Sequence, residues 1–103
     1  MNDEWLPFVY RGFYDVPRAI VVEPEGESLL LDCPFDEATD DYPPFYVVYR
    51  LSPEGRDKCA ELSWIGLEHL GAPVGRVQVR DIQFDASKRH LIHGGFLEKV
   101  HAA

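Results

Sequence analysis

Residues 32–50, DCPFDEATDDYPPFYVVYR, contain the pattern that decides the fold of this chain. The segment begins inside a predicted strand, crosses a loop of acids and prolines, and ends in a strand of aromatic and β-branched residues. The loop is residues 34–44, which we call the acidic loop, and Pro43 and Pro44 stiffen its exit. The sequence therefore predicts an acidic loop that strands hold at both ends.

The negative charge of the chain is concentrated around this loop. The formal net charge is −8, and residues 19–49 contain eight acids and no Lys, Arg or His, while the rest of the chain contains ten acids and ten Lys or Arg. Such an imbalance disfavours binding to nucleic acid phosphates or anionic membranes, and it favours a basic partner or a cation. We therefore expect a basic protein partner, no nucleic acid and no membrane.

Length and composition indicate one domain over residues 1–103, because a chain of this length with 46% apolar residues has enough material for a single core. The N-terminal segment, residues 1–4, is acidic, whereas a secretory signal is basic there. No apolar run approaches the roughly 20 residues of a membrane span. These features predict a cytoplasmic protein in which Cys33 and Cys59 are free thiols.

Before the acidic loop, hydrophobic patterning predicts three strands, at residues 5–14, 19–23 and 28–33. Pro17 predicts a bend over residues 15–18, since proline cannot donate to a strand ladder. Pro24 followed by Gly26 predicts a type I turn, so the third strand folds back as a hairpin.

Alternation within the strands predicts which side chains face the core. In the third strand, Leu30 points away from the side shared by Leu29, Leu31 and Cys33. In the strand after the acidic loop, at residues 45–51, we expect the odd-numbered side chains to point inward. That assignment leaves the even-numbered side chains, Tyr46, Val48 and Arg50, on the opposite face.

The C-terminal half predicts one helix and two further strands. Ser52 and Pro53 begin an amphipathic helix that ends before Gly71, and an alternation of apolar residues follows, with a phase break near Arg80. A turn at residues 85–88 leads to a last strand at residues 89–93 and a short final helix or turn. Together these elements predict an α+β fold, with a mostly antiparallel, curled sheet of about six short strands packed by one central helix. A partial barrel remains an open alternative.

The acidic loop is the predicted binding surface, in which carboxylates steer a basic partner and aromatic side chains anchor it. The predicted surface residues are Asp36, Glu37, Asp40, Asp41, Tyr42 and Tyr46, with Phe45 as a further aromatic. A competing interpretation is a solvated loop whose charge is neutralised within the chain by Arg76, Arg80, Lys88 or Arg89.

The sequence allows two interpretations of Arg18. In the preferred interpretation, it and Asp15 cap their own turn. In the other, Arg18 reaches the acidic loop and fixes its shape.

Cysteine and histidine patterns do not favour catalysis. Cys33 lies at the end of a predicted strand among acids that raise its pKa, and Cys59 falls on the apolar side of the predicted helix. His90 and His93 are three residues apart, a spacing that puts them on opposite faces of a strand. The sequence contains no EF-hand loop, zinc-ligand spacing, phosphate-binding loop or dinucleotide fingerprint. We therefore expect no catalytic residues, no metal and no cofactor.

Three segments resemble a family of small uncharacterised bacterial proteins. They are FYDVPR at residues 13–18, CPFDEATDDYPPFYVVYRL at residues 33–51 and IQFDASKR at residues 82–89. The resemblance implies one intact bacterial domain and transfers no catalytic residues, because no activity is assigned to that family. By size and acidity the chain is also similar to inhibitor or immunity proteins that neutralise basic toxin nucleases, although no motif is shared.

The favoured hypothesis is a non-enzymatic protein-interaction domain whose acidic aromatic loop binds a basic partner, with an inhibitor or immunity-type protein as its narrower form. One alternative is a small carboxylate-dependent or metal-dependent hydrolase that uses loop acids. Another is a structural or oligomeric role in which the strand that begins at Phe45 pairs across a dimer.

Overall fold

The computed structural model describes residues 4–14, 16–58, 66, 69, 71–85 and 91–101. Within these residues, six strands form one antiparallel sheet in the order β5-β4-β3-β2-β1-β6, and the sheet does not close into a barrel. The strands are β1 (Trp5–Tyr14), β2 (Val16–Val22), β3 (Leu29–Asp32), β4 (Phe45–Leu51), β5 (Gly71–Gln78) and β6 (Leu91–His93). The predicted antiparallel sheet of about six strands is therefore confirmed.

The first five strands form a meander, because each pairs with the next one along the chain. The connection from β1 to β2 is tighter than predicted: Tyr14 pairs with Val16, so residues 16–18 belong to β2 and do not form a bend. Pro17 pairs with Phe13 in this ladder although proline has no N–H to donate. The hairpin from β2 to β3 is confirmed, and its connection contains a 3₁₀ turn at Pro24–Gly26.

The main core lies on one face of the sheet. It combines apolar side chains of all six strands, and Phe96 from the C-terminal 3₁₀ segment Gly94–Lys99 fills it from the open side. Ile82 joins the same core after the 3₁₀ turn Val79–Asp81, which is the predicted phase break near Arg80. The strands contribute Leu6, Phe8, Ile20, Val22, Leu29, Leu31, Tyr46, Val48, Val77 and Ile92.

A smaller cluster packs on the outer face of the sheet, where Val21, Leu30 and Leu51 are buried with Tyr49 beside them. The predicted separation of Leu30 from Leu29 and Leu31 is confirmed, since these residues belong to different clusters. Central strands that are covered on both faces carry apolar residues in both alternation phases.

The predicted facing of β4 is wrong. Tyr46 and Val48 are 0% and 1% exposed in the main core, whereas Phe45, Val47 and Tyr49 are half-buried on the other face. The strand also pairs with β3 on one side and β5 on the other, so it has no free edge for pairing across a dimer.

The predicted helix over residues 53–70 is confirmed only at its beginning. Helix α1 (Pro53–Lys58) starts at Pro53, and the Ser52 hydroxyl accepts a hydrogen bond of 3.2 Å from the Gly55 N–H. Gly66 has a φ of +78°, which no right-handed helix contains, so one uninterrupted helix up to Gly71 is wrong. Most of the predicted apolar stripe, including Cys59, lies outside the described residues.

The C-terminal segment runs from one edge strand of the sheet to the other. After β6 at one edge, the chain runs through Gly94–Lys99 to His101, whose backbone exchanges two hydrogen bonds of 2.8 Å with Arg76 in β5 at the other edge. This approach requires glycine at position 75, because a Cβ there would overlap the His101 carbonyl oxygen and come within 2.8 Å of Val100 Cγ1. Among the described residues, no helix is long and apolar enough to cross a membrane.

Candidate binding surface at the acidic loop

The acidic loop is closed by its own backbone. Asp36 and Asp41 form an isolated antiparallel bridge, in which the Asp36 N–H donates to the Asp41 carbonyl at 2.9 Å and the reverse bond measures 3.2 Å. Residues 37–40 make the turn between them, and Asp40 adopts a φ of +56°. Aspartate tolerates this left-handed conformation better than most residues, so it suits the sharp reversal.

The four loop carboxylates fall into two pairs. Asp36 Oδ1 accepts from the Ala38 N–H at 2.9 Å, and Asp41 Oδ1 accepts from the Tyr42 N–H at 2.7 Å. These two side chains hold the local backbone, as aspartates commonly do in turns. Glu37 and Asp40 lie in the turn itself and make no such bond among the described residues. All four residues are exposed.

Within the described parts of the chain, no ion pair neutralises these carboxylates. Arg76, one of the predicted internal partners, places its guanidinium 4.7 Å from the centre of the Phe45 ring. Arg80 is exposed and lines the same groove as Asp41, and the described contacts include no ion pair between them. Lys88 and Arg89 lie outside the described residues, so their part of the prediction is not tested.

Aromatic side chains flank the acids at the base of the loop. The Phe35 and Tyr42 rings meet edge to face with centres 5.2 Å apart, and Phe35 remains 47% exposed. The Arg18 guanidinium lies 4.1 Å from the centre of the Tyr42 ring, a distance typical of a cation–π contact. Arg18 therefore does reach the acidic loop, as the second interpretation of this residue required, while Asp15 lies outside the described residues.

Behind this stack, Cys33 ties the loop to the sheet. Its Sγ accepts a hydrogen bond from Arg18 Nη1 at 3.4 Å and donates to the Pro43 carbonyl at 3.3 Å. The thiol is fully buried, and burial raises its pKa while the nearby Arg18 guanidinium partly opposes the rise. The predicted direction is confirmed, although desolvation is a larger cause than neighbouring acids. A buried thiol with a raised pKa is a poor nucleophile.

Tyr46 does not belong to the exposed surface that the sequence predicted. Its side chain is fully buried, and its hydroxyl donates a 2.6 Å hydrogen bond to the Pro17 carbonyl. Burial, followed by the neighbouring Cys33, raises the pKa of this hydroxyl. Tyr46 therefore stabilises the connection between β4 and β2, and it is not available to a partner at the loop.

Phe35 is the surface aromatic that sequence reasoning missed. It stands between Pro34 and Asp36, and a large apolar residue within such a polar, proline-rich loop was a usable signal. The acidic and aromatic side chains that the structure brings together at this loop are Phe35, Asp36, Glu37, Asp40, Asp41 and Tyr42. We refer to these six residues as the acidic aromatic surface.

A shallow groove of about 390 Å³ runs beside this surface. Its walls come from the exit of the acidic loop and from the end of β5, and they contain both acidic and basic side chains. The lining residues are Arg18, Asp41, Tyr42, Pro43, Pro44, Gln78, Val79 and Arg80.

Other chemistry is not assembled by the described residues. Among them, no three His, Cys, Asp or Glu side chains converge in a way that would hold a metal ion. His93 is occupied locally, since its Nδ1 accepts a hydrogen bond of 3.0 Å from the Gly95 N–H, and His90 lies outside the described part of the chain. Comparisons with protein-family models, with curated proteins and with solved structures found no match to this chain.

Proposed function

We propose that this protein is a protein-interaction domain that binds a basic protein partner through the acidic aromatic surface. One observation carries the proposal: four exposed carboxylates on a closed loop are in no ion pair with any described residue. Surface acids of this kind accelerate encounter with a positively charged partner and select its orientation.

The loop has features that favour specific binding over simple charge attraction. The bridge between Asp36 and Asp41 and the stacking of Arg18 on Tyr42 hold the loop in one shape, which lowers the entropy lost on binding. Phe35 presents an exposed ring next to the acids, and aromatic anchors commonly contribute most of the affinity of an interface. In this proposal the carboxylates steer the partner and Phe35 anchors it.

The narrower form of the proposal is an inhibitor or immunity-type protein that covers the cationic site of a basic nuclease or toxin. The net charge of −8 supports this form, because a nucleic-acid-binding site is itself positively charged. Such an inhibitor would compete with nucleic acid for that site.

The test uses a loop variant and a control variant of equal charge. Glu37→Gln/Asp40→Asn removes two carboxylates that do not hold the loop backbone, and asparagine also tolerates the left-handed conformation of residue 40. Glu54→Gln/Asp57→Asn removes one glutamate and one aspartate from exposed positions on α1. Both variants therefore carry the same net charge, and only the position of the lost carboxylates differs.

Each protein is immobilised and used to capture proteins from its source cells, with quantification by mass spectrometry at low and high salt. The expected result is a basic protein that wild type and the α1 control retain, that the loop variant loses, and whose capture falls with salt. Equal recovery of every protein by the loop variant and the α1 control would remove the acidic loop as the docking surface. A captured nuclease or toxin, inhibited by wild type in an activity assay, would support the narrower form.

A further inference from the structure

A second recess lies at the opposite end of the β3–β4 pair from the acidic loop. It has a volume of about 240 Å³ and is formed where the β2–β3 connection meets the end of β4 and the start of α1. Its lining residues are Gly26, Glu27, Ser28, Arg50, Leu51, Ser52, Pro53 and Arg56. None of these residues belongs to the acidic aromatic surface.

Ser28 gives this recess its unusual feature. The residue is 5% exposed, and its hydroxyl is a buried side-chain oxygen for which the described residues supply no hydrogen-bond partner. The Leu51 N–H donates to the Ser28 carbonyl at 2.9 Å, so the two residues are direct neighbours where β3 begins and β4 ends. A buried hydroxyl without a partner is costly, and native structures contain few of them, so this one requires an explanation.

The rim of the recess contains two arginines that form exposed ion pairs with described glutamates. Arg50 Nε lies 3.3 Å from Glu27 Oε1, and Arg56 Nε lies 3.2 Å from Glu23 Oε2, with all four side chains about half exposed. Exposed pairs of this kind contribute little to stability, so either arginine exchanges its glutamate for another oxyanion at small cost. Both guanidinium groups are thus accessible at the rim of the recess.

The recess also offers a second hydroxyl. Ser52 Oγ accepts from the Gly55 N–H, and this leaves the hydroxyl hydrogen of Ser52 as a donor. The polar side chains around the recess therefore comprise two guanidinium groups and two hydroxyl donors, opposed by the carboxylates of Glu27 in the lining and of Glu23, which pairs with Arg56. Guanidinium and hydroxyl groups are the donors that carboxylate and phosphate oxygens accept from.

We propose that this recess binds a small oxyanion, a carboxylate or a phosphate, between Arg50 and Arg56 with Ser28 as a donor at its floor. Because the Ser28 hydroxyl is shielded from solvent, an oxyanion reaches it when Arg50 or Arg56 swings from its glutamate onto the ligand. Binding then supplies the missing acceptor for Ser28 and replaces an exposed ion pair with a charge-assisted contact. The volume limits the ligand to a small anion or to the anionic end of a larger one.

The test is a titration of ¹⁵N-labelled protein with sodium phosphate and, separately, with sodium acetate, each at a constant ionic strength maintained with sodium chloride. The expected result is a saturable change in the amide resonances of Ser28, Leu51 and Ser52, with no matching change at Asp40 in the acidic loop. Comparison of the two salts shows whether the site prefers a phosphate or a carboxylate. Shifts that are linear, or equal to those caused by chloride, would overturn the proposal.

Four variants test whether the recess binds an oxyanion specifically. Ser28→Ala and Arg56→Gln are each expected to weaken binding about tenfold, the usual effect of losing a charge-assisted hydrogen bond. Glu27→Gln is expected to tighten binding several-fold, because it releases Arg50 and removes the competing carboxylate. Glu54→Gln removes one carboxylate outside the recess and is expected to leave binding unchanged.

The variants also keep the proposal falsifiable when one of them is unstable. Ser28→Ala removes an unpartnered hydroxyl, so we expect it to fold at least as well as wild type. Unchanged phosphate affinity in Ser28→Ala would show that the hydroxyl takes no part, and unchanged affinity in Glu27→Gln would show that Arg50 takes no part. The loop variant Glu37→Gln/Asp40→Asn should keep its oxyanion binding whether or not the acidic loop binds a partner. A failure of the oxyanion proposal is therefore distinct from a failure of the proposed function.

Discussion

The hydroxyl of Tyr46 provides the sharpest test of the core, because the substitution Tyr46→Phe removes one atom from a fully buried position. That atom donates a hydrogen bond of 2.6 Å to the Pro17 carbonyl, which is itself buried. Losing a buried partner of this kind costs about 1–3 kcal/mol, since the acceptor remains without its donor. We expect Tyr46→Phe to lower the free energy of unfolding by that amount at pH 7, and a loss of about 2 kcal/mol lowers the Tm by roughly 10 °C.

The loss of stability caused by the same substitution should depend on pH. Burial raises the pKa of Tyr46 above its ordinary value of about 10, so the unfolded chain releases this proton first as the pH rises. The stabilisation that the protonated hydroxyl provides is complete below pH 10 and is lost above it, at about 1.4 kcal/mol per pH unit. Tyr46→Phe lacks this proton, so the stability gap between variant and wild type should narrow between pH 10 and pH 11.

Urea denaturation followed by circular dichroism, at pH 7, 9, 10 and 11, measures both effects. Val48→Ala serves as the control, because Val48 lies in the same strand and core but does not titrate. Its stability deficit should be the same at every pH. A Tyr46→Phe protein within about 0.5 kcal/mol of wild type at pH 7 would refute the hydrogen bond. A gap that stays constant between pH 10 and pH 11 would refute the raised pKa.

Three further outcomes follow from the described contacts. Gly75→Ala should destabilise the protein by about 1–3 kcal/mol in urea denaturation, because the new Cβ overlaps the C-terminal segment. It should also speed hydrogen exchange at the His101 amide, and wild-type protection there would contradict the close approach. Cys33 should react with a thiol reagent at pH 8 only on unfolding, given its burial and raised pKa, so rapid labelling of native Cys59→Ser protein would contradict its position. Arg18→Gln should loosen the acidic loop, and unchanged ring-proton shifts of Tyr42 in NMR spectra would show that the guanidinium does not stack there.

The hairpin of β2 and β3 was predictable from the sequence because turn residues and apolar alternation agree over residues 19–33. Pro24 and Gly26 mark a hairpin, and the third strand separates Leu30 from Leu29 and Leu31, as the two apolar clusters do. The pairing of β6 with β1 was harder to predict from the sequence, since it joins strands that are far apart in the chain. Contacts at such a distance leave no local pattern in the sequence.

The facing of β4 could not be read from FYVVYRL because both alternation phases of this strand are apolar except at Arg50. Arg50 shares its phase with Tyr46 and Val48, which suggests that this phase faces water. In the structure, Arg50 is the second-last residue of β4, where its side chain is exposed and pairs with Glu27. A polar residue at a strand end therefore says little about the middle of that strand, and periodicity alone cannot resolve a strand that is covered on both faces.

The candidate site was predictable in its charge and not in its aromatic residues. Runs of acids and prolines identify an exposed loop directly, and the four carboxylates are where that pattern put them. Which aromatic side chain faces solvent depends instead on tertiary packing, so Tyr46 was misassigned and Phe35 was overlooked. The Ser28 recess left no sequence signal, because it joins side chains from two separate connections.

Repulsion among the loop acids costs little folding free energy. The carboxylates are exposed to water, where each interaction is weak and is screened beyond about 10 Å at 0.1 M salt. Backbone N–H groups offset the charges of Asp36 and Asp41, which leaves Glu37 and Asp40 as the carboxylates least compensated by the protein. A cationic partner relieves that repulsion only on binding, so added salt should weaken the complex while it slightly stabilises the free domain. The opposite response, with a complex that tightens in salt, would mean that apolar contact at Phe35 dominates and that the carboxylates do not steer the partner.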